Sequence, residues 1–412
     1  MDVITGSVRN YAWGSTSALP AFLGTEPDGR PQAELWLGAH PLAPSQVAAS
    51  PAGTARSSTR AGDLLSDRIA ADPAGVLGSS SVAAFGARLP YLLKVLAAAQ
   101  PLSLQAHPTR AQAEEGTARE DAAGVPHGAP GRLYSDDWPK PEMFVGLGDV
   151  EALCGFADPD QTYALFTRLG VSSALELVAP LRGGGSDALS AVFGRVLDLG
   201  EGEREVVTQV VTAAAELLAA GAAEGDVALQ RFARTAVELD EFYPGDPGVL
   251  AALLMNRLSF GRFDGLFLPA GNLHAYLHGT GVEIMANSDN VLRGGLTPKH
   301  VDVQELLAVL DFTPGVPDLV PVEDEGPGIH RYVTPAPEFS LWRIDAATEP
   351  VVVPATGRGR IVLVVEGSVE VSDGAGTVPL VRGESVFGYP DDALTVMGAG
   401  GPGTVMLAAP GC

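Results

Sequence analysis

The chain has 412 residues, of which 46% are hydrophobic and 18% are charged. At about 150 residues per domain, this length predicts two or three globular domains. There are 50 acidic residues against 26 basic ones, and the net charge of −24 argues against binding to nucleic acid or to an anionic membrane surface. The 50 glycines and 32 prolines favour a fold rich in strands and turns.

The cysteines and the N-terminus predict the cellular compartment. Cys154 and Cys412 are the two cysteines, and they show neither zinc-finger spacing nor a framework of bridges, which is typical of a reducing cytoplasm. Residues 1–15 lack a basic stretch followed by an apolar core, and no run approaches the ~20 apolar residues of a membrane span. We therefore predict a cytoplasmic protein without a membrane partner.

Up to about residue 105, short apolar runs between glycines and prolines predict strands. Examples are residues 33–41 (AELWLGAHP) and 89–108 (LPYLLKVLAAAQPLSLQAHP). The end of the second run, residues 102–107, alternates in polarity, so Ser103 and Gln105 are expected beside His107 on one face of a strand. A hydroxyl, an amide and an imidazole would then form one row.

A helical pattern dominates from Asp158 to Leu258. Asp158-Pro159-Asp160-Gln161 predicts a helix start, with the aspartate as N-cap and the proline at the first helical position. Asp246-Pro247 predicts a second start, and Asp302 is expected to cap a further helix. An Ala- and Glu-rich segment, residues 109–122, is also predicted to be helical.

The C-terminal part predicts a second, smaller β domain. Beyond about residue 335, β-branched runs alternate with glycine turns, as in residues 360–374 (RIVLVVEGSVEVSDG). No histidine follows His330, and the one cysteine there is Cys412. We therefore predict no transition-metal site in this part of the chain.

Gln105 and His107 could offer an oxygen and a nitrogen ligand to one metal ion, because residues two apart on a strand lie about 7 Å apart on the same face. Two ligands do not hold a catalytic metal. Glu142 and His274, both in strand-like contexts, are natural suppliers of a carboxylate and a second imidazole. On spacing alone, an ordinary polar sheet face stays open as the alternative.

Seven separated stretches carry short and unusual motifs. The longest, residues 281–299 (GVEIMANSDNVLRGGLTPK), is highly specific. The others are residues 10–14 (NYAWG), 33–38 (AELWLG), 92–95 (LLKV), 102–108 (LSLQAHP), 140–143 (KPEM) and 269–274 (PAGNLH). In content and order they resemble the type I mannose-6-phosphate isomerase family, and the resemblance covers essentially the whole chain.

This resemblance implies a mainly β fold with an α-helical insertion. A cupin-type jelly-roll catalytic domain would be formed by residues 1–150 and 259–330. Residues 151–258 would form the inserted helical domain, and residues 331–412 a C-terminal, cupin-like β domain without metal. The family also implies a monomer.

The resemblance further implies one Zn²⁺ per chain, bound by the residues that match Gln105, His107, Glu142 and His274. A sugar-phosphate pocket would lie beside it. The substrate-binding residues implied are Trp13, Glu34, Ser103 and Lys299, and the catalytic ones are Arg293, Glu283, Lys140 and Lys94. On an acidic chain, four cations in one set of motifs would form a trap for phosphate and enediolate.

The reaction implied is the reversible conversion of mannose 6-phosphate to fructose 6-phosphate, by proton transfer between C1 and C2 through an enediol. It requires a base for a carbon-bound proton and a positive group for the enediolate oxygen. Glu283 is the candidate base, with zinc or Arg293 as the electrophile. Lys140 or Lys94 could act as the base instead if burial lowered its pKa.

One position departs from the family pattern. Many members carry Asn-His before Lys-Pro-Glu, whereas Pro139 stands here in place of that histidine. Opening of the sugar ring would then fall to another group, such as His127, Lys140 or water. A non-catalytic sugar-phosphate binder therefore stays open as an alternative function.

A metal-dependent oxygenase is a second alternative, because His107, Glu142 and His274 could also hold iron. Gln105 as a fourth ligand and the basic pocket argue against it. The remaining polar residues are predicted to be structural. These are His40, His278, His300 and His330, together with Cys154 in the core and residues 183–185 in a linker between helices.

Overall fold

The computed structural model describes residues 1–48 and 62–411. Cys412, the second of the two cysteines, lies outside the described residues. Within the described ranges, 23 strands form three sheets. The strands are β1 (Asp2–Thr5), β2 (Ser7–Arg9), β3 (Glu34–Gly38), β4 (Gln46–Val47), β5 (Asp63–Leu64), β6 (Tyr91–Ala98), β7 (Gln105–Ala106), β8 (Glu142–Gly146), β9 (Val150–Phe156), β10 (Met255–Phe260), β11 (Gly265–Leu268), β12 (His274–Ala286), β13 (Leu292–Arg293), β14 (Val322–Gly326), β15 (Ile329–Tyr332), β16 (Ser340–Ala346), β17 (Val351–Val352), β18 (Arg360–Glu366), β19 (Ser368–Ser372), β20 (Thr377–Val381), β21 (Ser385–Gly388), β22 (Thr395–Gly398) and β23 (Gly403–Ala409).

Twelve α-helices accompany these strands in the described part of the chain, so sheets and helices are mixed. They are α1 (Ala18–Leu23), α2 (Leu65–Ala71), α3 (Pro73–Leu77), α4 (Ser79–Phe85), α5 (Arg110–Ala122), α6 (Pro159–Leu169), α7 (Ser172–Val178), α8 (Ser186–Leu197), α9 (Glu205–Ala219), α10 (Val227–Phe242), α11 (Gly248–Ala252) and α12 (Val303–Val309). None of the helices that the structure describes is long and apolar enough to cross a membrane.

Local capping signals set most of the predicted helix starts. The Asp158 carboxylate accepts a hydrogen bond from the Gln161 amide at 2.9 Å, and α6 follows with proline at its first position. Asp302 caps α12 in the same way. The third start is one residue late, because α11 begins at Gly248 and the Asp246 carboxylate accepts from the amide of that glycine.

Two predictions for the first 122 residues need correction. Strands alone were predicted before about residue 105, yet α1 to α4 lie there, and these helices are too short to show a helical period. The strand predicted over residues 102–107 is reduced to β7, because the amides of Leu102 and Leu104 donate to the carbonyls of Tyr276 and Gly295. The helix predicted at 109–122 is confirmed as α5.

The long strand β12 organises the ten-stranded sheet. Its first half pairs with β7 and β9, and its second half pairs with β6 and β8. This register sets His274 opposite Gln105 and Glu283 opposite Lys94. Residues that lie far apart in the sequence therefore meet along one strand.

A nine-stranded sheet packs against the ten-stranded one and joins the two ends of the chain. It runs β14-β15-β16-β23-β18-β21-β1-β4-β5, so the N-terminal strand lies beside C-terminal ones. Leu93 and Val95 of β6 contribute to the apolar core shared by the two sheets. Because neighbouring side chains on a strand point to opposite faces, Lys94 is directed away from that core.

Candidate active site and metal centre

A cavity of about 650 Å³ opens on the Lys94 side of the ten-stranded sheet. Eight of the twelve residues predicted for the site line it, while Glu283, His107, Glu142 and His274 are buried behind its wall. The eight lining residues are Trp13, Glu34, Lys94, Ser103, Gln105, Lys140, Arg293 and Lys299. The structure thus brings together residues from all seven motifs.

The positive charge of this cavity is unusual for so acidic a chain. The sequence contains three lysines, Lys94, Lys140 and Lys299, and every one of them lines the cavity. Arg132 and Arg293 line it too. A cavity with this lining attracts an anion although the chain as a whole repels one.

Three buried side chains form a candidate metal centre behind Lys140. The donor atoms of His107, Glu142 and His274 all lie within 4.8 Å of one another. The His107 Nε2 is 3.4 Å from Glu142 Oε1, and the His274 Nε2 is 3.2 Å from Glu142 Oε2. Two imidazoles and one carboxylate are a donor set typical of zinc.

Backbone carbonyls orient both imidazoles towards this centre. His107 Nδ1 lies 2.7 Å from the Asn290 carbonyl and His274 Nδ1 lies 3.1 Å from the Asn272 carbonyl. A carbonyl only accepts, so the ring hydrogen is on Nδ1 and the Nε2 lone pair faces the carboxylate. The buried His107 Nε2 has no hydrogen-bond partner, and a bound metal ion would satisfy it.

The protonation states also suit a metal. Burial lowers the pKa of His107 to about 4, so its ring is neutral at pH 7 and its lone pair is available. Burial opposes ionisation of Glu142, but the Lys140 ammonium, 3.2 Å from its Oε1, favours the carboxylate and helps to hold its pKa below the ordinary value. Gln105, which lies opposite His274 and lines the cavity, could add a fourth ligand.

A row of buried polar groups runs beside the metal centre. The Lys94 ammonium lies 3.0 Å from Glu283 Oε2 and 3.6 Å from Glu34 Oε1. The other oxygens of these carboxylates accept from Tyr276 Oη, at 2.9 Å from Glu283, and from Trp36 Nε1, at 2.6 Å from Glu34. Each member of the row is thereby hydrogen-bonded or ion-paired.

This row argues against Lys94 as a base. Burial would lower the pKa of Lys94, but the carboxylates of Glu283 and Glu34 outweigh burial and raise it above its ordinary value. Lys94 is therefore a cation at neutral pH. Burial raises the pKa of Glu283, and the charge of Lys94 opposes that rise.

Arg293 and Lys299 form the second basic part of the cavity. No carboxylate partner of either is found in residues 1–48 and 62–411. Burial lowers the pKa of Arg293, and the nearby charge of Arg293 lowers the pKa of Lys299. Two neighbouring cations without an acidic partner are a ready site for a phosphate.

Comparison with known proteins shows the family of this chain. Residues 1–158 match the family described as phosphomannose isomerase type I, catalytic domain. A mannose-6-phosphate isomerase of Escherichia coli (strain K12) is 34% identical over 406 residues, which cover 97% of this chain and 98% of the relative. The chain belongs to the type I mannose-6-phosphate isomerase family. The resemblance predicted from the motifs is therefore confirmed, and so is the prediction of an aldose–ketose isomerase.

Further mannose-6-phosphate isomerases match this type I family member over most of its length. The human mannose-6-phosphate isomerase is 29% identical over 406 residues, covering 92% of this chain and 91% of the relative. A crystal structure of a mannose 6-phosphate isomerase bound with zinc and yttrium matches with a TM-score of 0.87 at 31% identity, and 100% of both chains is covered.

In this member of the type I family, a histidine and an aspartate are among the cavity residues that had no predicted site role. His40, predicted to be structural, lines it together with Asp289, and its Nε2 is 3.3 Å from Asp289 Oδ1. His40 Nδ1 accepts from the Leu42 amide at 3.2 Å, so the hydrogen of the neutral ring is on Nε2. Asp289 stands in the motif of residues 281–299, and His40 follows the motif of residues 33–38 by two residues, which was the signal available in the sequence.

His127, considered for ring opening, is far from such a position. Its side chain is 69% exposed and lies 3.6 Å from Asp121, and it does not line the cavity. Lys140, considered with it, does line the cavity. Cys154, predicted to be a core residue, is buried and its thiol donates to Asn272 Oδ1 at 3.3 Å.

Proposed function

We propose that the chain is a zinc-dependent mannose-6-phosphate isomerase that interconverts mannose 6-phosphate and fructose 6-phosphate. The observation that carries the proposal is the buried cluster of His107, Glu142 and His274 next to a cavity lined by every lysine of the chain. The names of the relatives and the zinc in a solved relative support it.

The proposed zinc ligands are Gln105, His107, Glu142 and His274. Two nitrogens and two oxygens are ligands that zinc accepts, and the oriented Nε2 atoms fit such an ion. When bound, zinc supplies a Lewis acid that polarises a sugar oxygen.

The sugar phosphate would be held by the cavity wall. Lys299 and Arg293 are the proposed partners of the phosphate, since they have no acidic partner among the described residues. Arg293 would also face the enediolate. Trp13 offers an aromatic surface to the sugar ring, and Glu34 and Ser103 are proposed to bind its hydroxyls.

Glu283 is proposed as the base. It would remove the C2 proton of open-chain mannose 6-phosphate, the C2–H electron pair would form the C1–C2 double bond, and the π pair of the C1 carbonyl would move to O1, which takes up a proton to give the enediol. O2 would then lose its proton and form the C2 carbonyl, while the C1–C2 π pair takes the proton back from Glu283 at C1 to give fructose 6-phosphate. Lys94 shares Oε2 of Glu283 and lines the cavity, so it must release that oxygen when the sugar binds. Lys94 and Lys140 would then stabilise charge on the sugar oxygens.

Replacing Glu283 with glutamine is expected to lower kcat on the order of 10²-fold or more, because the amide keeps the shape but cannot take a proton. Turnover is measured by coupling fructose 6-phosphate formation to a dye or a nicotinamide. Glu176→Gln, on an exposed helix position, is the matched control and should keep full activity. Full turnover by Glu283→Gln would assign the base elsewhere.

The proposed activity itself is tested by the same coupled assay, with and without a chelator. Turnover that is lost with the chelator and restored by added zinc is expected. Zinc bound in full without any turnover would favour a non-catalytic sugar-phosphate binder, consistent with Pro139 in place of the family histidine. Iron as the bound metal would favour an oxygenase.

We also propose the domain division predicted from the sequence, with cupin-type jelly rolls formed by residues 1–150 with 259–330 and by residues 331–412, and the helical insertion over residues 151–258. Strand β1 hydrogen-bonds to β21, so the two β domains would share a sheet. A cytoplasmic location is proposed from the cysteines and residues 1–15, and a monomer from the family resemblance. Sedimentation would test the oligomeric state.

A further inference from the structure

Both carboxylate oxygens of Glu283 are engaged within the protein. Lys94 Nζ lies 3.0 Å from Oε2, and Tyr276 Oη donates to Oε1 at 2.9 Å. These two donors reach Glu283 from different elements, Lys94 from the neighbouring strand β6 and Tyr276 from β12 itself. Each oxygen thus has its own partner.

The two donors differ in their relation to the cavity. Lys94 lines it, whereas Tyr276 is 5% exposed and does not. The Tyr276 ring packs on Phe144, with ring centroids 4.5 Å apart, and its centroid lies 6.3 Å from that of the His274 ring. Oε1 is therefore held from inside the protein, and Oε2 lies on the side of the cavity.

Lys94 alone is a poor anchor for Glu283. Lys94 also pairs with Glu34, so one ammonium serves two carboxylates. The negative charge of Glu142 also acts on Glu283, and the positive charge of Lys140 opposes that effect. In the proposed reaction Lys94 must also leave Oε2 when the sugar binds. A carboxylate rotates freely about its last torsion, so Glu283 then needs another restraint.

We infer that Tyr276 is a positioning residue of the isomerase, whose hydroxyl holds Oε1 of Glu283 so that Oε2 stays directed at the substrate carbon. The inference rests on the proposed function, because it requires Glu283 as the base. Tyr276 touches neither substrate nor zinc in this role, and acts through Glu283 alone.

The test is Tyr276→Phe, which keeps the ring on Phe144 and removes only the hydroxyl. We expect kcat to fall about tenfold or more, as for other small losses of alignment, while KM for mannose 6-phosphate stays within about twofold of wild type. Zinc content is measured in parallel, because Tyr276 is two residues from His274. It should stay at the wild-type level.

Tyr91→Phe is the matched control. The Tyr91 hydroxyl is equally buried and donates to the Ala408 carbonyl at 3.0 Å, in the core between the sheets and away from the cavity. Its loss is expected to lower the melting temperature and to leave kcat and KM unchanged. A structural effect of losing a buried hydroxyl is thereby separated from a kinetic one.

A double variant gives the sharper result. If Tyr276 acts only through Glu283, then Tyr276→Phe in the Glu283→Gln background should slow the reaction no further. A double variant whose kcat is reduced by the product of the two single reductions would overturn the inference. A fall in the kcat of Tyr276→Phe that follows loss of zinc would overturn it as well. A normal kcat for Tyr276→Phe beside a collapsed Glu283→Gln would overturn the inference alone, whereas full turnover by both would overturn the proposed base as well.

Discussion

Glu142→Ala is expected to lose zinc and to reduce turnover to background. The Glu142 carboxylate lies between two imidazoles and is the acidic member of the cluster. Loss of a residue that only hydrogen-bonds to a metal ligand costs roughly 10–100-fold in metal affinity, and loss of the ligand itself should cost more. Zinc per chain, measured by atomic absorption after dialysis, and the coupled isomerase assay give the two readouts.

Removing Glu142 also removes an acidic partner of Lys140, so the variant needs two companions. Glu142→Gln keeps the side-chain shape and an oxygen, and it should bind zinc more tightly than the alanine variant. Glu176→Ala, at an exposed position, should match wild type in both readouts. An active Glu142→Ala protein with one zinc per chain would show that the proposed ligand set is wrong.

Lys94→Met is expected to impair both activity and stability. The change leaves Glu34 and Glu283 buried without the cation between them, and removing one partner of a buried pair costs about 3–5 kcal/mol. Urea unfolding midpoints measure the loss of free energy, and the coupled assay measures the loss of turnover. A Lys94→Met protein as stable as wild type at neutral pH would contradict this account.

The same variant makes a prediction about pH. In wild type the pKa of Lys94 is raised, so its stabilising contribution is complete at neutral pH and is lost only as the pH rises through that pKa. Without Lys94, the carboxylates can relieve their burial by protonation, so the deficit should shrink as the pH falls below neutral. Lys299→Met is the matched control, since this exposed lysine should affect KM and leave the unfolding midpoint unchanged.

Local signals in the sequence predicted those features of the fold, such as helix starts, that depend only on residues close together in the chain. Asp158 and Asp302 set helix starts because a cap needs only the next few amides. The motifs identified the family, and with it the residues gathered at the cavity. Spacing alone could not decide whether Gln105 and His107 bind a metal or belong to an ordinary polar sheet face. The strand β7 covers only two residues, and the pattern of one strand does not show which residues of other strands lie beside it.

Long-range register could not be predicted from local pattern. Glu283 meets Lys94 across 189 positions of sequence because β12 pairs with β6 in one register, and a shift by one residue would turn Glu283 to the other face. The place of His40 at the cavity was missed for the same reason, since its partner Asp289 lies in the loop after β12. The short helices α1 to α4 were missed because five to seven residues show no period.

The distribution of lysines has a practical consequence for handling the protein. Apart from the α-amino group, every primary amine of the chain lies at the cavity. Amine-reactive dyes, cross-linkers and activated resins would therefore react first at exposed Lys299 and would leave the outer surface unlabelled. Immobilisation through carboxylates, of which the chain has an excess, would leave the cavity open.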